Sequence, residues 1–447
     1  MTHPTKAAIL ALALALPVPA LADAAAERFR EAFLAGEAGW PAVESRAREE
    51  GAVRFHHWGG SDLLNVWLDG VVAPAMAERG VALDAVRLTA TKDAIDLVLA
   101  ERGAGRGPGE GSVDLVWVNG ENFATLKDQD ALFGAFVPLL PAAANLDLTD
   151  DPRAALNLRD FGTPTGGAEV PWSGEQYVCA ADTARVGRAD LPATFADLRR
   201  YLDARPGKFA YVKPPHYLGN TFVQQAVYAL NPDGTGAEPF QRSAAELGAA
   251  EVARLIAPGI DYLAALEPLL LGGPEGNARY PEDEAALDGL LGNGEVDFAC
   301  KFGVFAVATG LLTGAMPEGA EQFVFPEGAM IKNKSYLAIP ANAPNPAAAL
   351  VLADWMTGLE AQVSKLEAVG YPAGIDGWML HPADAARLDA ASPGLVGVTQ
   401  AELDVNAAPD TNATLVDVIE AVWLERIERG SDAALDEIVA RAFETVR

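Results

Sequence analysis

The chain is poor in the groups that most enzymes use. It has two cysteines and five histidines in 447 residues. No C-x-x-C pair and no His-rich metal spacing occurs. His56 and His57 are adjacent on a strand-like run, so their side chains take opposite faces, a poor arrangement for zinc. The nucleophile and metalloprotease motifs G-x-S-x-G, H-E-x-x-H and S-x-x-K with its partners are missing. A glycine-rich run, GAGRGPGEG, has neither nucleotide-binding spacing, and it precedes a strand where a phosphate loop would follow one. It reads as an αβ connection. Positive charge is also scarce. There are 33 Lys and Arg against 62 Asp and Glu, a net charge of −29. That balance opposes nucleic acid and anionic lipid as partners. No metal and no cofactor is expected.

What is present begins with a leader. MTHPTKAAILALALALPVPALA carries Lys6, then an apolar run, then Ala20-Leu21-Ala22 as a small-x-small cleavage site. These three features in this order read as a secretory signal peptide, residues 1–22, cleaved near Ala22. The apolar run is too short for a comfortable membrane span. No cysteine follows it for lipid attachment and no twin arginine precedes it. Export to the periplasm is therefore expected. An exported protein can pair its cysteines. Cys179 and Cys300 both sit in strand-like apolar runs, and the sequence leaves a disulfide and two buried thiols equally open.

Half the residues are hydrophobic, and the length exceeds one ordinary core, so two lobes are expected. Residues 24–50 read as helix interrupted at Pro41. Strands are predicted at 53–58, 81–88 and 113–118, with helices between them. This alternation argues an α/β layer with a mostly parallel sheet. A second unit begins near Val170, with strands predicted at 208–212 and 296–301 and a helix opening at Thr221. A strand at 335–340 and one long amphipathic helix over 346–367 follow, then a mainly helical tail. The expected division is lobe 1 over 23–170, lobe 2 over 171–335, a return to lobe 1 over 336–370, and a helical segment over 371–447 with no lobe assigned.

Open α/β sheets bind ligands beyond the carboxyl ends of their strands. The first strand ends in Trp58, Gly59 and Ser61. The third ends in Asn119, Glu121 and Asn122. The crossing segment near Val170 offers Trp172 and Gln176, and the second unit offers Lys213, Asn220, Thr221 and Lys301. Each residue alone has an ordinary reading as cap, core or solvated charge. Together they fall where the architecture places a cleft. Carboxylates at Asp62, Glu121, Glu169 and Glu175 leave a secreted hydrolase as an alternative, since pairs of this kind cleave glycosides. A ligand-binding sensor partner is the other alternative.

At these residues the sequence resembles the YnjB-type periplasmic solute-binding proteins of ABC transporters. VDLVWVNGENF, HHWGGSDLLNVWLD, AEVPWSGEQYV, KFAYVKPPHYLGNTF and SYLAIPANAPNPAAALVLADWM carry the resemblance in that order. It implies a type II periplasmic binding protein fold: two α/β lobes, each a mostly parallel sheet flanked by helices, joined by crossing hinge strands. It implies hinge closure on a small-molecule ligand and delivery to a permease in the inner membrane by a monomeric protein. The crossings are expected near 170–182 and 334–340. Ferric binders of this fold commonly use adjacent tyrosines, and the chain has no Tyr-Tyr. Glu121 with Trp58, Trp172 and Phe123 suits an organic cation. Lys213, Lys301 and the helix start at Thr221 suit a carboxylate or phosphate. Both sets together suit a zwitterion or a phosphorylated cation, so a thiamine-like, polyamine or zwitterionic ligand is expected.

Overall fold

Apolar runs of four to seven residues become the central strands of the first lobe. The structure is a computed structural model that describes residues 19–325 and 330–445. The leader expected at 1–22 therefore lies mostly outside the described residues. β1 (Ala52–Trp58), β2 (Ala82–Leu88) and β3 (Leu115–Val118) form a parallel ladder, with Phe55 level with Leu115 and Ala85. A short hairpin, β4 (Arg159–Asp160) and β5 (Thr163–Pro164), follows. Then come β6 (Glu169–Asp182), β7 (Phe298–Phe302), β8 (Ala320–Phe323), β9 (Met330–Ala338) and β10 (Ala407–Ala408).

β6 and β9 run between the lobes. The sheet order is β2-β1-β3-β9-β6-β7, with β8 on β6 and β10 on β9. The start of β6 pairs with the end of β9, Glu169 opposite Ala338, within the first lobe. Their middles, Ser173 to Gln176 against Ser335 to Lys332, pair with each other, and Ser173 also bridges to Ala373. The end of β6 then enters the second lobe between β7 and β8. One core gathers Phe55, Leu115, Trp172 and Leu337. The other gathers Tyr177, Phe222, Phe298 and Trp423.

The second lobe departs from the parallel pattern, because β7 and β8 both pair antiparallel with β6. The segment predicted as a strand at 208–212 is buried but joins no ladder. Its backbone is satisfied by single bonds: Leu271 N–H donates to Phe209 O at 2.9 Å and Asp297 N–H to Lys208 O at 2.9 Å. The helix predicted over 346–367 is two helices, Pro346–Thr357 and Leu359–Val369. Gly358 between them is extended, at φ −74° and ψ 153°, which breaks the helical bonding. The tail divides between the cores. Ile375 and Leu388 pack in the first, while Leu415, Val418 and Ile438 pack in the second. The chain thus crosses a third time, between Ala391 and Leu395.

Cys179 and Cys300 are directly opposite in the β6–β7 register and form a disulfide. Among the described residues no helix is long and apolar enough to cross a membrane.

Candidate functional site

Three of the strand-end stretches converge beside the crossing strands. At the end of β1, Trp58 is half-buried, and its ring meets Trp117 edge-on at 6.2 Å. Gly60 lies under that ring, where a Cβ would fall 2.2 Å from it. Gly59 lies as close to Arg87, where a Cβ would fall 2.8 Å from that residue's own Cβ. Ser61 caps the helix Asp62–Trp67, accepting from Leu64 N–H at 3.3 Å, and lies near the Tyr371 hydroxyl.

β3 ends in the N-G-E-N-F turn. Asn119 is half-buried. Gly120 has φ +57° and ψ −125°, a conformation that disfavours side chains, and a Cβ there would lie 3.1 Å from the Phe161 ring. Its N–H donates to Asp160 Oδ2 at 2.6 Å. Glu121 then opens the helix Glu121–Asp128, and Asn122 Nδ2 donates to Thr91 Oγ1 at 3.3 Å. Across the cleft, on the second lobe's helix Ala413–Trp423, stand Asp417 and Glu420, close enough for their charges to bear on Glu121. Asn220 Nδ2 donates to Glu420 Oε2 at 2.8 Å.

The remaining expected residues lie elsewhere or are engaged. Trp172 is fully buried in the first core, 4.9 Å from Trp117, and its carbonyl accepts from Lys365 Nζ at 2.5 Å. Gln176 is buried and donates to Leu403 O at 2.8 Å, tying β6 to the tail. Thr221 does not open its helix. The helix Tyr217–Leu230 starts four residues earlier, capped by His216, whose Nδ1 accepts from Leu218 N–H, and the Thr221 hydroxyl donates to Tyr217 O at 2.8 Å. Lys301 is held by Glu284 at 2.8 Å and Asp288 at 2.7 Å. Lys213 is paired with Glu428. Lys213→Met therefore changes solute affinity by less than about threefold, since a half-exposed ion pair contributes about 1 kcal/mol or less; calorimetric titration checks this.

Residue spacing did not point to Tyr217, Asp417 or Glu420, and it offered Glu175 only as a hydrolase carboxylate. Tyr217 keeps 48% of its surface exposed, yet its hydroxyl reaches Glu284 and lies near Tyr371 and Glu175. Glu175 projects from the middle of β6 and accepts from Val304 N–H at 3.1 Å. Asp417 and Glu420 are three residues apart and so share a helix face. Only that i, i+3 spacing was visible beforehand, in a tail without an assigned lobe.

These two lobes, with ligand-type groups where β6 and β9 cross, match known proteins. Residues 71–386 match the model of a family described as bacterial extracellular solute-binding protein. The chain is 33% identical over 389 residues to Protein YnjB of Escherichia coli (strain K12), covering 87% of this chain and 93% of that one. The chain belongs to the bacterial extracellular solute-binding protein family. Solved structures agree in fold. The cyclic alpha-maltosyl-1,6-maltose binding protein of Arthrobacter globiformis superposes with TM-score 0.58 at 16% identity, covering 88% of this chain and 97% of that one. The spermidine/putrescine substrate-binding protein PotD of Streptococcus pneumoniae gives 0.52 at 12% identity, covering 89% and 99%.

In this solute-binding protein the cleft electrostatics are one-sided. Burial raises the Glu121 carboxyl to about 7, with Asp417 and Glu420 adding to the rise. Burial raises Glu175 to about 8. Asp417 and Glu420 are raised for the same reason. Among the described residues none of these four acids makes an ion pair, whereas both lysines expected to hold an anion do. No group of three or more His, Cys, Asp or Glu among the described residues is arranged to hold a metal ion.

Proposed function

We propose that the chain is an exported periplasmic binding protein that takes a small organic cation between its lobes and delivers it, as a monomer, to the membrane permease of an ABC importer. The observation that carries this is the facing of Glu121 against Asp417 and Glu420 across the cleft, with no Lys or Arg among the described residues paired to them. Acids in such an array repel when ionised, and a bound cation removes the repulsion and draws the lobes together. The lysines named for a carboxylate or phosphate are already paired, so the zwitterion reading loses its anionic half. Half-buried Trp58 and the Tyr217 and Tyr371 rings supply faces for a cation. The family match and the shared fold support binding over the hydrolase alternative.

Isothermal titration with thiamine, its phosphates, putrescine and spermidine, beside maltose as a neutral sugar, tests the reading. Binding of at least one cation is expected, with the solute recovered unchanged. Binding of the sugar or of an anion alone overturns it, and a recovered cleavage product revives the hydrolase.

A further inference from the structure

Behind the N-G-E-N-F turn lies a cavity of about 100 Å³ that no strand end announced. Its roof is the turn of the β4–β5 hairpin. Phe161 and Gly162 there have φ +44° and +72°. The Phe161 carbonyl accepts from Ala413 N–H at 2.9 Å, so this first-lobe hairpin touches the second lobe. The walls include Asp160, Tyr336 and Asn333 on one side, Gln241 and Asp410 on the other, and Arg159, whose guanidinium donates to Gly162 O at 3.0 Å. Asp160 is 2% exposed and Asp410 is 4% exposed.

A third acid stands beside them. Glu169 is 1% exposed, and both of its carboxylate oxygens are buried without a hydrogen-bond partner. Two residues on, Pro171 is opposite Tyr336 in the β6–β9 register, so Glu169 shares the sheet face of Tyr336, which lines the cavity, while Asp410 lines it directly. The charges of Asp160, Glu169 and Asp410 all bear on the Tyr336 hydroxyl. Among the described residues none of the three makes an ion pair. Burial pushes all three carboxyls well above the usual carboxylate range. Acids buried around a hollow need protons or a cation. The geometry suits no metal, and the hollow is smaller than the roughly 150 Å³ that admits a benzene ring.

We propose that this cavity receives the primary ammonium end of the solute, which is therefore a linear dication whose second ammonium lies at Glu121. The proposal rests on the cationic-solute reading above. Glu121 adjoins the cavity, since its charge bears on both Asp160 and Asp410. The solute then touches both lobes and the crossing strand β9 at once.

Titration of the full chain with butanediamine and butylamine, in wild type, Asp410→Asn and Glu169→Gln, tests this. Wild type should favour the diamine by about tenfold or more, the equivalent of one charge-assisted hydrogen bond. Asp410→Asn should bring the ratio of the two affinities close to one. If Asp410→Asn does not fold, as judged by circular dichroism, Glu169→Gln gives the same reading, because that side chain has no hydrogen bond to lose. Equal affinities in wild type, a preference unchanged in every folded variant, or binding of thiamine but neither amine overturns the subsite and leaves the cationic reading standing. Failure of every cation to bind overturns both.

Discussion

Glu121→Gln lowers affinity for the cationic solute by about ten- to a hundredfold, the equivalent of the 1.5–3 kcal/mol carried by a hydrogen bond to a charged group. Glutamine keeps the size of the side chain and removes its charge. Glu121 is the first residue of its helix, where a negative charge is favoured. That placement aims the carboxylate at Asp417 and Glu420 in the second lobe. Without solute these acids oppose one another, so removing one relieves repulsion. The ligand-free variant should melt no lower than wild type, and it should bind more weakly. The two readouts separate this role from a purely structural one. If Glu121 only capped the helix, melting temperature would drop and affinity would stay. Titration calorimetry and a thermal melt on the same preparation decide between them.

Cation binding should also release protons, and affinity should rise steeply with pH. Glu175, raised to about 8, and Glu121, raised to about 7, both hold protons in the ligand-free cleft below those values. A cation binds the ionised form, so each proton must leave. Affinity should climb by up to about tenfold per pH unit for each carboxyl between pH ~5.5 and ~7, then level off above pH ~8. Folding stability moves the other way. A carboxyl whose folded pKa lies above its unfolded value contributes stability below the unfolded pKa, near 4.5, and that contribution is lost as pH rises through 7 to 8. The ligand-free protein should therefore lose melting temperature over the range in which it gains affinity. The proton count is thus the sharper reading. Titrations in two buffers of different ionisation enthalpy measure it, and uptake of protons, or no exchange, would refute the assignment.

Much of the first lobe could be read directly from local pattern. VDLVWVNGENF is a buried parallel strand that ends in a glycine turn and a helix, as its composition implies. Periodicity marks strands and helices because each residue's face is set by neighbours two to four positions away. The same local code placed Trp58, Ser61, Asn119 and Glu121 at strand ends beside the cleft.

Contacts across hundreds of residues decided the rest. Lys301 looked like an anion ligand until the helix Glu284–Asn293 brought two acids to it. Glu121 and Glu420 face each other from opposite lobes, and nothing near either residue signals the other. The tail's division between cores and the pairing of Cys179 with Cys300 depend on which strands lie side by side. So does the cavity under Phe161, which exists only because a first-lobe hairpin meets the second lobe at Ala413. The sequence by itself determined the elements, the two-lobed class and the family likeness, since these rest on short-range pattern. Tertiary structure alone decided the charge of the cleft. That charge is a sum over groups brought together by packing, and it depends on which lysines and acids have already neutralised one another.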